Sequence, residues 1–167
     1  MLGVVYLFED RKRLSKPQAY LRLAFGILLI ATFAVTASAA SRDEATVEQL
    51  KSRLSSASVP DRPHLCVEIA EKQLTETDKL YAASDVEKAQ ASLTDVVEYS
   101  EKARDYAIQS HKYQKQAEIA VRGMARKLTE LLHSLGKDEQ EPVKEAVTRL
   151  ERVRDDLLSS MFKKAGK

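Results

Sequence analysis

Apolar positions recur at alternating steps of three and four through the middle of the chain. The series runs Val86, Ala89, Leu93, Val96, Ser100, Ala103, Ala107, Ser110, Gln114, Ala117, Val121, Met124, Leu128, Leu131 and Leu135, with two serines and one glutamine as its polar exceptions. Such a stripe is one face of an α-helix. No Pro lies between residues 64 and 141 and no Gly between 27 and 122. Gly123 is a mild handicap in a helix interior, ~1 kcal/mol relative to Ala, and Gly136 is a natural stop. The pattern predicts one continuous helix over about 86–135, ~75 Å long at 1.5 Å per residue. A helix of that length needs neighbours to lie against.

Two neighbours are legible. Leu65, Ile69, Ala70, Leu74, Leu80 and Tyr81 give an apolar face to a helix that Asp61 caps and that stops near Ala83. Val143, Val147, Leu150, Val153, Leu157 and Met161 do the same for a last helix, which starts at 138–142 and ends near Phe162. Ser84-Asp85-Val86-Glu87 reads as a capping box between the first neighbour and the long helix. Short loops make each neighbour antiparallel to one half of the long helix. The predicted fold is therefore all-α: an antiparallel, coiled-coil-like bundle with one long central helix, about 86–135, packed by two shorter helices. A break within Ser110–Gln116 would give a compact four-helix bundle instead. That stretch is polar but holds no Gly or Pro.

Upstream the stripe thins. Ser41 and Glu44 form a capping box for a helix over about 43–58, whose face is only Val47, Leu50 and Leu54 before Ser55, Ser56, Ser58 and Pro60 end it. Residues 40–60 are expected to be a loosely attached helix and linker, and 61–163 the helical domain. Residues 23–35, LAFGILLIATFAV, are uncharged and apolar; Arg11, Lys12, Arg13, Lys16 and Arg22 precede them, and Ala37-Ser38-Ala39 follows. This is the layout of a secretory signal peptide and helix over residues 1–39, with cleavage after Ala39. If retained, residues 23–40 approach the ~20 residues a membrane span needs.

Composition agrees with helix: Gly (5) and Pro (4) are scarce, and Trp is absent. Charge shifts once the leader is set apart. It holds five of the 27 Lys and Arg and two of the 25 Asp and Glu, leaving 22 basic against 23 acidic side chains. A near-neutral product is not built to bind nucleic acid. Export would place it in the periplasm or outside the cell. Cys66 is the only cysteine, so no intrachain disulfide forms.

Catalytic chemistry is hard to assemble. His111 and His133 would stand ~33 Å apart on a straight helix. Glu130 and His133 have the E-x-x-H spacing of di-iron bundles, but no second such motif exists. His64 and Cys66 supply only two ligands, too few for a structural zinc site. The sequence reads as non-enzymatic, with no cofactor and no metal. Tyr99, Tyr106 and Tyr113 are spaced by sevens and each precedes an inner seam position. They either widen the thin stripe or present an aromatic edge to a protein partner.

Leu80-Tyr81-Ala82-Ala83-Ser84-Asp85-Val86-Glu87-Lys88-Ala89, followed by Leu93, resembles the turn and second-helix start of a tetratricopeptide repeat, over about residues 80–97. The resemblance implies an antiparallel helical hairpin. No matching unit follows 34 residues on. Together these features suggest an exported helical scaffold or protein-interaction module of the bacterial envelope. The alternatives are a chaperone-like protein holding unfolded clients, or a membrane-tethered stalk.

Overall fold

The computed structural model describes residues 45–165, whose regular structure is entirely helical. Five helices follow one another: α1 (Val47–Ser56), α2 (Arg62–Ala82), α3 (Val86–Ser110), α4 (Gln114–Leu132) and α5 (Lys137–Ala165). The signal segment over 1–39, the candidate anchor over 23–40 and the Ser41–Glu44 capping box lie outside the described residues. Among those described, no helix is long and apolar enough to cross a membrane.

The predicted central helix is not continuous. It stops at Ser110 and restarts at Gln114, and both His111 (φ 54°) and Tyr113 (φ 64°) sit in the left-handed region. The chain reverses there. The Ser92 hydroxyl donates to the Gln73 carbonyl at 3.0 Å, while the neighbouring Leu74 lines one groove with Met124 and Lys127. On a straight helix Ser92 and Met124 would lie ~48 Å apart. Two left-handed residues cost ~1–2 kcal/mol each. Against that, Val96, Val121 and Leu128 have no exposed surface, and each such side chain contributes ~1.5–3 kcal/mol on burial. Closing the chain lets both halves of the stripe share one core, so burial outweighs the local strain. The stripe itself is intact: none of its fifteen positions is exposed.

The result is a four-helix bundle made of two antiparallel hairpins, α2/α3 and α4/α5. Helix α2 packs chiefly on α3, and α4 chiefly on α5. A single apolar cluster spans all four helices, from Cys66 and Leu74 through Leu93 and Val121 to Val143 and Leu157. Polar pairs pin the hairpins together. Arg149 on α5 grips Glu101 on α3 with two nitrogens at 2.8–3.0 Å, and Arg104 meets Asp156 at 3.0 Å. Within the α4/α5 hairpin, Glu118 is only 7% exposed and accepts from Arg154 at 3.2 Å.

Capping differs from expectation in detail. Asp85, rather than Ser84, caps α3: its carboxylate accepts from the Lys88 backbone N–H (3.5 Å) and from Lys88 Nζ (2.6 Å). Ser84 instead takes a left-handed turn position, φ 59°. Asp61 flanks α2 but makes no side-chain cap bond; it accepts from the Ser58 hydroxyl. Thr46 and Gln49 form a reciprocal capping box for α1. That helix rests on α2 through Leu50, which has no exposed surface and meets Leu65 and Ile69. Lys51 ties it to Asp95 of α3 at 3.0 Å.

Candidate functional site

A concavity runs between α2 and α4. It consists of two adjoining hollows of about 490 Å³ and about 410 Å³, which share Leu74, Thr75 and Lys127. Their α4 lining extends from Ile119 to Leu131, ~18 Å along the helix at 1.5 Å per residue, and Ser134 lines it just beyond the helix end. The opening has a cause in the sequence. Ala120 and Gly123 of α4 face it, and a Cβ added at Gly123 would meet nothing within 4 Å. Small side chains there leave the α2–α4 flank unfilled.

The floor is apolar, with Leu74, Ala120, Met124 and Leu131. Ile119, at the edge, is 48% exposed, which is unusual for so large an aliphatic side chain in this bundle. The charged lining is unbalanced: Glu71, Asp78 and Glu130 stand against Lys127. The groove is therefore long, apolar below and net acidic at its rim.

The three tyrosines of the heptad series each pack against a neighbouring element. Tyr99 lies partly buried beside α1, with the ammonium groups of Lys102 and Lys51 at 4.7 Å and 5.3 Å from its ring centre. Tyr106 has the Arg62 guanidinium at 5.2 Å. These are cation–π contacts that hold α1 and α2 to α3. Tyr113, displaced by the reversal, meets the His64 ring edge-on at 5.4 Å. Burial raises its phenol pKa, and the carboxylates of Glu71 and Glu68 push it the same way. Glu71 also lines the groove.

The remaining candidates are dispersed. Cys66 is fully buried whereas His64 is exposed, so they do not share a site. Burial pushes the Cys66 thiol up to about 11, against the opposing charges of Lys102 and Arg62, which keeps it protonated and unreactive. Glu130 and His133 are both exposed. Among the described residues, no three His, Cys, Asp or Glu side chains converge to hold a metal ion. No family model matches the chain, and no curated protein or solved structure is significantly similar to it.

Sequence reasoning missed the groove because it depends on which helices become neighbours after the reversal. Two signals were present. Ile119 is a large aliphatic residue off the apolar stripe, and Gly123 is a helix-interior glycine with no turn to make.

Proposed function

We propose that the chain is an exported, non-enzymatic helical interaction module of the bacterial envelope. Its α2–α4 groove takes an amphipathic helix with basic flanks. The observation that carries this reading is the groove's composition: an apolar floor about three helical turns long beneath a rim dominated by Glu71, Asp78 and Glu130. An apolar helix face laid into such a groove recovers burial energy, and Lys or Arg on its flanks meets the acidic rim. Gly123 permits close approach of the incoming backbone. Tyr113 stands near Glu71 as a secondary contact, while Tyr99 and Tyr106 support the bundle. Export rests on the layout of residues 1–39, and mass spectrometry of the mature N-terminus tests it directly. Retention of residues 23–40 would make the same module membrane-tethered.

The groove is tested with two synthetic helical peptides that share one apolar face and carry either Lys or Glu flanks. Fluorescence anisotropy is expected to show at least tenfold tighter binding of the basic peptide. Gly123→Leu, which fills the groove, and Ile119→Asp should abolish that preference, whereas Tyr99→Ala should leave it intact. Equal binding of both peptides would instead favour promiscuous capture of unfolded clients. Unchanged binding by Gly123→Leu would overturn the groove as the site.

A further inference from the structure

We propose that α3 and α4 can join into one continuous helix through residues 111–113, so that two copies of the chain exchange their α4/α5 hairpins in a reciprocal dimer. The inference rests on the connection itself and is independent of the groove reading.

Three observations carry it. The first is strain. The connection is only three residues long, and two of them, His111 and Tyr113, occupy left-handed backbone conformations that L side chains avoid. Its hydrogen bonding is sparse: the His111 N–H reaches the Ile108 carbonyl at 3.4 Å and the Lys112 N–H reaches the Ser110 hydroxyl at 3.3 Å. Tyr113 makes no side-chain cap bond. Short strained hinges favour exchange because opening them relieves the strain.

The second is register. The apolar stripe passes through Ala107, Ser110, Gln114 and Ala117 in steps of three, four and three, as if residues 111–113 were helical. A connection serving only as a loop has no need to keep that count. With no Gly or Pro in it, the segment can extend the helix without a breaker.

The third is portability. Helices α3 and α4 pack mainly on α2 and α5 rather than on each other. The polar links between hairpins, Glu101–Arg149, Arg104–Asp156 and Gln114–Ser160, join groups that a second copy supplies equally well. Exchange therefore keeps the core and the ion pairs and removes the left-handed residues, at the cost of the Tyr113–His64 contact and the entropy of association. The monomer prevails when dilute and the exchanged dimer when concentrated.

The test uses the full chain in mild detergent, carrying either Glu101→Arg or Arg149→Glu. Each variant alone opposes like charges at this contact, in the monomer and in its own dimer. Co-refolded together, the two form an exchanged heterodimer. In one half of it the introduced arginine of the first copy meets the introduced glutamate of the second. In the other half the unaltered Glu101 and Arg149 pair, so both contacts are restored. Native mass spectrometry should then show the heterodimer at least tenfold over either homodimer. In the wild-type background, His111→Gly with Tyr113→Gly should weaken dimerisation at least tenfold in sedimentation velocity, because glycine accepts the left-handed turn. His111→Ala with Tyr113→Ala, which favours helix, should strengthen it by a similar factor. Monomers at every concentration, or a statistical mixture of homo- and heterodimers, would overturn the proposal. If the charge variants fail to fold, the glycine and alanine pairs decide it: equal dimer affinities in both would refute the exchange.

Discussion

Two of the tight reversals among the described residues, at Ala83–Asp85 and at His111–Tyr113, have the same length and are built on different principles. The first is held by its own residues. The Ser84 and Asp85 N–H groups donate to the Tyr81 and Leu80 carbonyls at 3.0 Å and 2.9 Å, closing the end of α2. Asp85 then starts α3, and the Lys88 hydrogen bond holds its carboxyl below the ordinary aspartate range. The second has one more left-handed residue, longer hydrogen bonds and no capping side chain. Local chemistry dictates the first turn. The shared core imposes the second.

Core substitutions should therefore give the largest effect. Leu128 has no exposed surface and lies on α4, beyond the second reversal. Leu128→Ala is expected to cost about 3 kcal/mol in urea unfolding. Loss of the whole bundle in a single transition would show that both hairpins depend on one core, and two separate transitions would show that they do not. Next in size is Asp85→Ala, which removes the cap of the first turn and should cost about 1 kcal/mol. His111→Gly should act in the opposite direction, stabilising the monomer by about 1 kcal/mol because the exposed imidazole gives up little and the left-handed strain is relieved. A loss on this substitution would mean that the second turn is locally encoded after all. The smallest effect is expected from Tyr81→Phe. The Tyr81 hydroxyl is buried without a hydrogen-bond partner, so its removal relieves an uncompensated desolvation cost and should stabilise the fold by no more than about 1 kcal/mol.

The buried thiol gives a pH-dependent check on the core beneath both turns. The Cys66 pKa is raised to about 11 from its ordinary 9.0, so the folded chain binds that proton more tightly than the unfolded one. Its contribution is complete below about pH 9 and is lost as pH rises towards about 11. The stability difference between wild type and Cys66→Ala should narrow over that range. A constant difference would place the thiol in contact with water.

The same contrast explains what could be read in advance. Because a face is a local property of 3.6-residue spacing, helical periodicity identified most core-facing positions of the long stripe, though not Ser92, Val97 or Glu118. It identified the first reversal from the Ser-Asp signal, although the cap falls on Asp85 and leaves Ser84 in the turn. It offered the second reversal only as the rival to a continuous helix, because His111, Lys112 and Tyr113 carry no breaker, and the energy that bends them resides in Val96, Val121 and Leu128. The groove was hidden for the same reason: α2 and α4 are neighbours only once the chain has turned. The tyrosines illustrate the consequence. Spaced for one edge of a straight helix, they take up contacts with other elements instead, with Tyr99 and Tyr106 under cations from α1, α2 and α3, and Tyr113 against His64.

The most direct measurement is an intramolecular distance across the second reversal. Dyes placed at Thr94 and Lys127, both exposed, would sit ~50 Å apart if α3 and α4 were one rod. In the closed bundle both positions lie within a turn or two of residues that touch Gln73 and Leu74, so their separation should be about 25 Å or less. Single-molecule energy transfer at nanomolar concentration, where the chain is monomeric, is predicted to show a high-efficiency population. A single low-efficiency population at ~50 Å would contradict the account.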